Sequence, residues 1–200
     1  MSEAWAILLA AGESSRMGRL KALLSWRGQP LLRHQVSALL DGGAARVVVV
    51  LGHRAEELCP LLEDLDGVDW VINPDYPQGK TTSIKAGLST LDRQMADEIL
   101  LLNVDQPRSA ADIAQILRKH RAEGYAITIP TCGGKGGHPI VLSARLLDEL
   151  LAIDEETQGV KAVVQRRPEA VLRFPLENPE ILLDLNTPEQ YRQAVSTYAS

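Results

Sequence analysis

Trp5-Ala6-Ile7-Leu8-Leu9-Ala10 is continuously apolar, and further apolar β-rich runs follow at Arg46–Leu51, Asp69–Ile72, Glu98–Asn103 and Tyr125–Pro130. Such runs, apolar on both alternating faces, suit strands buried inside a parallel sheet. Helical spacing fills the intervals. Leu31, Leu32, Val36, Leu39 and Leu40 fall on one helical face, Pro30 stands where a first helical residue would, and Gly42-Gly43 ends the run. The same periodicity predicts helices over 54–64, 80–92 and 109–123. Strand and helix alternate as in βαβ units, which places helices on both faces of the sheet. After Pro130 the rhythm changes: a glycine-rich segment, 132–137, leads to a predicted strand His138–Leu142 and a helix Ala144–Ala152. Ile181–Asn186 reads as a closing strand that runs into a helix, with Thr187 as N-cap and Pro188 at its first position. Residues 1–200 are read as a single domain in three parts: 1–130, an inserted segment 131–180, and a closing strand and helix 181–200.

Composition narrows the possibilities. Two hundred residues support one well-buried core rather than two large ones. A net charge of −5 argues against a general nucleic-acid binder, so no nucleic-acid partner is expected. Cys59 and Cys132 lack the companions of a zinc site or a disulfide framework and are expected to be reduced and buried. No stretch approaches the length of a membrane span, so no membrane association is expected, and the chain is read as soluble and cytoplasmic.

Chemistry concentrates where strands end. Leu9-Ala10-Ala11-Gly12 runs into Glu13-Ser14-Ser15-Arg16-Met17-Gly18-Arg19-Leu20-Lys21. Small residues let an anion approach backbone N–H groups, the serines add hydroxyl donors, and Arg16 and Lys21 neutralise charge, as a phosphate-binding loop requires. An ordinary strand-to-helix turn with two solvated cations is the alternative. Asp105 ends a second apolar strand and is a candidate Mg²⁺ ligand; its other reading is a helix cap, a task Ser109 fits better. A second oxygen is expected from Asp184 or Asn186, placed on one face of the closing strand, with Asn186 nearer the turn.

Gly79-Lys80-Thr81 imitates the tail of a P-loop, but the position five residues before Gly79 is Pro74, so that reading fails. The dinucleotide fingerprint fails too, because the glycine after Gly12 is Gly18. Thr81, Thr82 and Ser83 open a helix and can bond a base or ribose, or simply cap that helix. The histidines form no catalytic cluster. His34 and His120 read as solvated or packed, His53 as a strand-end cap, and His138, after the glycine-rich stretch, as a contact to a second substrate or a structural turn.

Together, Leu9-Ala10-Ala11-Gly12 with Arg16-Met17-Gly18 and Lys21, Gly28-Gln29-Pro30-Leu31-Leu32, Asn73 with Gly79, Ser83 and Gly87-Leu88, Asp105-Gln106-Pro107, Gly137-His138-Pro139 and Thr187-Pro188-Glu189 resemble the nucleotidyltransferases of the molybdenum-cofactor branch. The resemblance implies a Rossmann-like three-layer α/β/α sandwich with a mostly parallel sheet, of the nucleotide-diphospho-sugar transferase type. It implies that Leu9, Ala10, Ala11 and Gly12 bind the nucleotide, with Asn73, Thr82 and Ser83, and that Arg16 and Lys21 contact the triphosphate. It also implies that Asp105, with Asn186, holds Mg²⁺, and that His138 faces the acceptor.

The double alanine before Gly12 resembles the cytidylyl-transferring type and implies CTP. The expected reaction moves a cytidylyl group from CTP to a phosphate monoester, the molybdopterin cofactor, and releases pyrophosphate; a molybdoenzyme would receive the product. Transfer to another sugar or alcohol phosphate, or nucleotide binding without catalysis as a cofactor chaperone, are the alternatives. Two departures accompany the resemblance. Asp154–Lys161 keeps only Gly159 and a basic residue of the family's acceptor-site element, and Asp184-Leu185-Asn186 stands in place of Asp-x-Asp.

Overall fold

The computed structural model describes residues 3–199. In chain order the strands are β1 (Glu3–Ala10), β2 (Ser25–Trp26), β3 (Gln29–Pro30), β4 (Arg46–Leu51), β5 (Val68–Ile72), β6 (Ala96–Asn103), β7 (Ile127–Cys132), β8 (Lys135–Gly136), β9 (Ile140–Ser143) and β10 (Val171–Pro175). The helices are α1 (Leu31–Asp41), α2 (Ala55–Leu58), α3 (Lys80–Leu88), α4 (Ala110–Glu123), α5 (Leu147–Leu151), α6 (Val160–Arg166) and α7 (Pro188–Tyr198).

The main sheet runs β10-β7-β9-β6-β1-β4-β5, and β8 pairs with β7 alone. Along the β10-to-β5 path only β9 is antiparallel to its neighbours, so the sheet is mostly parallel. β1 lies at its centre, and its alternating side chains feed two separate cores. Ala4, Ala6, Leu8 and Ala10 join the core beneath α1, α4 and α7, while Trp5, Ile7 and Leu9 join the one beneath α3, α5 and α6. The result is the three-layer α/β/α sandwich expected of a Rossmann-like chain.

Several local expectations are corrected, each for an identifiable reason. The helix expected over 54–64 is only α2 followed by a 3-10 turn, Cys59–Leu61, because Pro60 cannot continue the α-helical ladder. Pro30 pairs with Ser25 in a small hairpin and precedes α1 as its N-cap instead of entering it. The strand expected from His138 starts at Ile140, after Pro139, and the following helix opens with a 3-10 turn, Ala144–Leu146. The helix expected over 80–92 ends at Leu88. Cys59 and Cys132 are free thiols but only half-buried.

The closing strand over 181–186 does not form. Pro179–Leu182 is a 3-10 turn, and the next residues follow an irregular path. The carbonyls that a sheet ladder would use are taken by one side chain: Arg108 donates to Glu180 O, Ile181 O and Leu183 O. The helix start at Thr187 is as expected, with a reciprocal capping box between Thr187 and Gln190 and Pro188 in the first turn.

Candidate active site

β1, β4 and β6 end side by side, at the sheet edge where open α/β folds bind ligands. The chain leaving β1 is folded back sharply. Ser14 adopts a left-handed conformation at φ 56°, and its Oγ accepts the Lys21 N–H at 3.1 Å. Met17 and Leu20 are buried and anchor the loop. The polar residues flanking these anchors, Arg16 and Arg19 among them, are left at the surface above the strand ends.

Backbone bonds lace this edge together. Val104 N–H donates to Leu9 O at 2.9 Å, His53 N–H to Ala11 O at 3.0 Å, and Leu185 N–H to Asp105 O at 2.8 Å. The turn after β6 is set from beneath by Gln35, fully buried in α1, whose side chain donates to Gln106 O and accepts from Arg108 N–H. Asn186 is placed by the cap of α7, because its N–H donates to Gln190 Oε1 at 2.9 Å.

Lys21 is the hub. Its Nζ donates to Asp105 Oδ2 at 2.6 Å and to Asn186 Oδ1 at 2.8 Å, and Arg16 Nη2 reaches the same Asn186 oxygen at 3.4 Å. Four candidate residues, named from three distant stretches of sequence, therefore meet at one point. They line a cleft of about 450 Å³ with Leu9, Ala10, Ala11, Gly12 and Ser83. Asp184 lines it too.

Asn73 and Thr82 do not line that cleft; they build its wall. The buried Asn73 amide donates to Thr82 Oγ1 at 2.9 Å and Ser83 Oγ at 3.0 Å, and its oxygen accepts from Asp75 N–H. Thr82 Oγ1 in turn donates to Gly79 O at 2.8 Å, so both residues are spent on shaping the entry to α3.

His138 lines a second, adjoining cavity of about 650 Å³, together with Ile129, Ile140, Glu155, Lys161 and Arg173. Burial, then the positive charges of Arg108 and Lys80, push its pKa down to about 3. At neutral pH it is an uncharged hydrogen-bonding ring.

Two residues escaped the sequence reading. Arg108 is 1% exposed; burial lowers its pKa to about 10, which leaves it charged. Its five donor contacts go to the carbonyls of Pro107, His138, Glu180, Ile181 and Leu183, so it joins the turn after Asp105 to the 180–183 segment, which leads into Asp184–Asn186, and to His138. A lone Arg after Gln-Pro carries no periodicity that would reveal this. Lys80 lines both cavities; its only sequence signal was the rejected P-loop tail.

Comparison with known proteins meets this geometry. A family profile described as MobA-like NTP transferase domain matches residues 6–171. The chain belongs to that family. It is therefore a nucleotidyltransferase by kinship, and the cleft at the ends of β1 and β6 sits where such a fold binds its ligand. The chain is 30% identical over 198 residues to the molybdenum cofactor cytidylyltransferase of Escherichia coli (strain K12), covering 99% of this chain and 98% of that one. It is also 30% identical to a Paenarthrobacter nicotinovorans protein named nicotine blue oxidoreductase, with 92% of each chain covered. Rv0371c of Mycobacterium tuberculosis H37Rv superposes with a TM-score of 0.84 at 25% identity over 98% of each chain. A structure of that protein in complex with manganese superposes at 0.80 and 23% identity, covering 98% of this chain and 99% of that one. Among the described residues no helix is long and apolar enough to cross a membrane.

Proposed function

We propose that this chain transfers a cytidylyl group from CTP to the phosphate monoester of a molybdopterin-type cofactor and releases pyrophosphate. The observation that carries the reading is the meeting of Arg16, Lys21, Asp105 and Asn186 beside the small-residue loop Ala10-Ala11-Gly12. Two cations beside a stretch of small residues that lines the cleft suit a triphosphate. The choice of CTP rests on Ala10 and Ala11 and on the name of the Escherichia coli relative.

The donor set also fits a hard divalent cation. One carboxylate oxygen and one amide oxygen already converge on a single positive group, the Lys21 ammonium, and Mg²⁺ is commonly held by few protein oxygens together with substrate phosphates. Asp105 and Asn186 would hold it, and bound there it would neutralise developing phosphate charge. The remaining work belongs to the chain. Arg16 and Lys21 bind and orient the β- and γ-phosphates, and the backbone of residues 10–12 fixes the α-phosphate. An acceptor phosphate oxygen forms the new bond to the α-phosphorus as the bond to the pyrophosphate oxygen breaks. That oxygen is already anionic at neutral pH, so no general base is needed; positioning and charge neutralisation supply the catalysis.

In this reading residues 1–130 form the nucleotide side and 131–180 the acceptor side, with His138 facing the acceptor as a neutral hydrogen-bonding group. The product passes to a molybdoenzyme in the cytoplasm. The test is pyrophosphate release with Mg²⁺ and each of CTP, GTP, ATP and UTP, against molybdopterin cofactor and a panel of sugar and alcohol phosphates. CTP with the cofactor is expected to be the best pair. Preference for another nucleotide or acceptor would replace the proposed substrates, and nucleotide binding without turnover on any acceptor would make the chain a binding module.

A further inference from the structure

We propose that Lys80 binds the acceptor's phosphate where the two cavities meet, making it a further substrate-contacting residue of the transfer; this rests on the reading of a phosphate-bearing acceptor. Of the described residues, only Leu9, Lys80 and Asn103 line both cavities. Leu9 offers no polar group, and the Asn103 amide is committed to Gln106 Oε1 at 2.7 Å. Lys80 is the one charged group on the shared wall.

Its surroundings are those of a cation awaiting an anion. Lys21, the other lysine of the first cleft, is held by Asp105 and Asn186, whereas no described residue makes a hydrogen bond or ion pair to the Lys80 ammonium. Asp105, Asp184 and Glu155 act on it only through longer-range attraction, and crowding by the surrounding protein outweighs them and lowers its pKa even though the side chain reaches solvent. Glu155, the carboxylate of the second cavity, is turned elsewhere: its Oε1 accepts Thr81 N–H at 2.5 Å.

Lys80 is also the first residue of α3, which has no acidic residue in its first turn. A positive charge at a helix N-terminus opposes the helix dipole. Helix stability gives no reason for a lysine here. Transfer does, because a phosphate dianion must approach an α-phosphate that is itself charged, and a cation between the two cavities offsets that repulsion. Lys161 and Arg173 extend the positive character along the second cavity, while its remaining lining is largely apolar, with Ile129, Ile140 and Val160. That combination fits a ring-bearing phosphate monoester.

Phenyl phosphate is a suitable probe, titrated calorimetrically into protein loaded with CTP in the absence of divalent metal, so that no turnover occurs. Loss of one charge-assisted contact predicts roughly tenfold weaker probe binding in Lys80→Met. Lys80→Arg should stay within about threefold of the unsubstituted chain, and CTP affinity should change by no more than about threefold in either variant. The side chain is solvent-accessible and bonds nothing, so thermal midpoints should hold. Probe binding that is unchanged in Lys80→Met, absent from the unsubstituted chain, or lost in parallel with CTP binding would overturn the assignment. Failure of CTP to bind in a parallel titration with Mg²⁺ would instead refute the proposed nucleotide, and the phenyl phosphate titration on nucleotide-free protein would still read the Lys80 site.

Discussion

Arg108→Met is the sharpest test of how the site is held together. Methionine keeps the unbranched stem and removes every donor. In the native chain Nε bonds His138 O at 2.7 Å, Nη1 bonds Pro107 O at 2.6 Å and Glu180 O at 2.9 Å, and Nη2 bonds Ile181 O at 2.7 Å and Leu183 O at 3.2 Å. Glu180 O keeps a second donor in Leu183 N–H, and Ile181 O keeps one in His138 N–H. The carbonyls of Pro107, His138 and Leu183 therefore bear the loss. A stranded buried acceptor costs about 1–3 kcal/mol, and removal of a desolvated charge returns part of that sum, which leaves a net destabilisation of about 3 kcal/mol. For a domain of this size the thermal midpoint should fall by about 6–12 °C. Urea unfolding followed by far-UV circular dichroism, with scanning calorimetry, measures both quantities. A loss below about 1 kcal/mol would mean that the five contacts do not hold the 179–183 segment, and the account of why no strand forms there would fail with them.

Lys21→Ala should abolish nucleotidyl transfer by about a hundredfold or more while moving the urea midpoint little, since the pair with Asp105 is partly solvated; equal turnover in both proteins would remove Lys21 from the site. The pH dependence of stability has a defined sign. His138, held near 3, and His34 and His120, both lowered first by burial, bind protons more readily unfolded than folded. Stability should therefore fall as pH drops from about 6.5 towards 3, and the loss between pH 7.5 and 5 should shrink in His138→Gln; an identical pH slope in the two proteins would contradict the assignment. Gly87→Ala should cost about 1–3 kcal/mol, because the added carbon would lie 2.6 Å from Ile7 Cγ2 and 2.8 Å from Val50 Cγ2 and would lift α3 off the sheet; wild-type stability in a urea titration would show that the helix yields freely.

What the sequence reveals divides along physical lines. The βαβ alternation was readable because strands such as β1 and β4 are apolar after their first residue, and burial on both faces leaves that mark on composition. The placement of the loop after β1 and of Asp105 at a strand end, and the Thr187 cap, were readable because they follow from local sequence. The closing segment was misread for the opposite reason: Ile181-Leu182-Leu183 looks like a strand, but a guanidinium more than seventy residues earlier in the chain takes its carbonyls. Asn73 and Thr82, expected to bind the nucleotide, lie outside the cleft lining and direct their polar atoms at each other. Lys80 and Arg108 owe their importance to neighbours distant in sequence, so no spacing rule marks them.

The contacts of Lys21 span sequence separations of 84 and 165 residues. The ion cluster thus exists only when the first loop, the middle strand and the last helix cap have all reached their final places. On the proposed function, partly folded chains would lack the complete triphosphate site, even with β1 and its loop already formed. Nucleotide consumption then serves as a built-in report of tertiary completion: turnover should vanish at denaturant concentrations that loosen only the 183–187 tether, before the sheet itself melts. Activity lost in step with the sheet would show instead that tether and sheet form one cooperative unit.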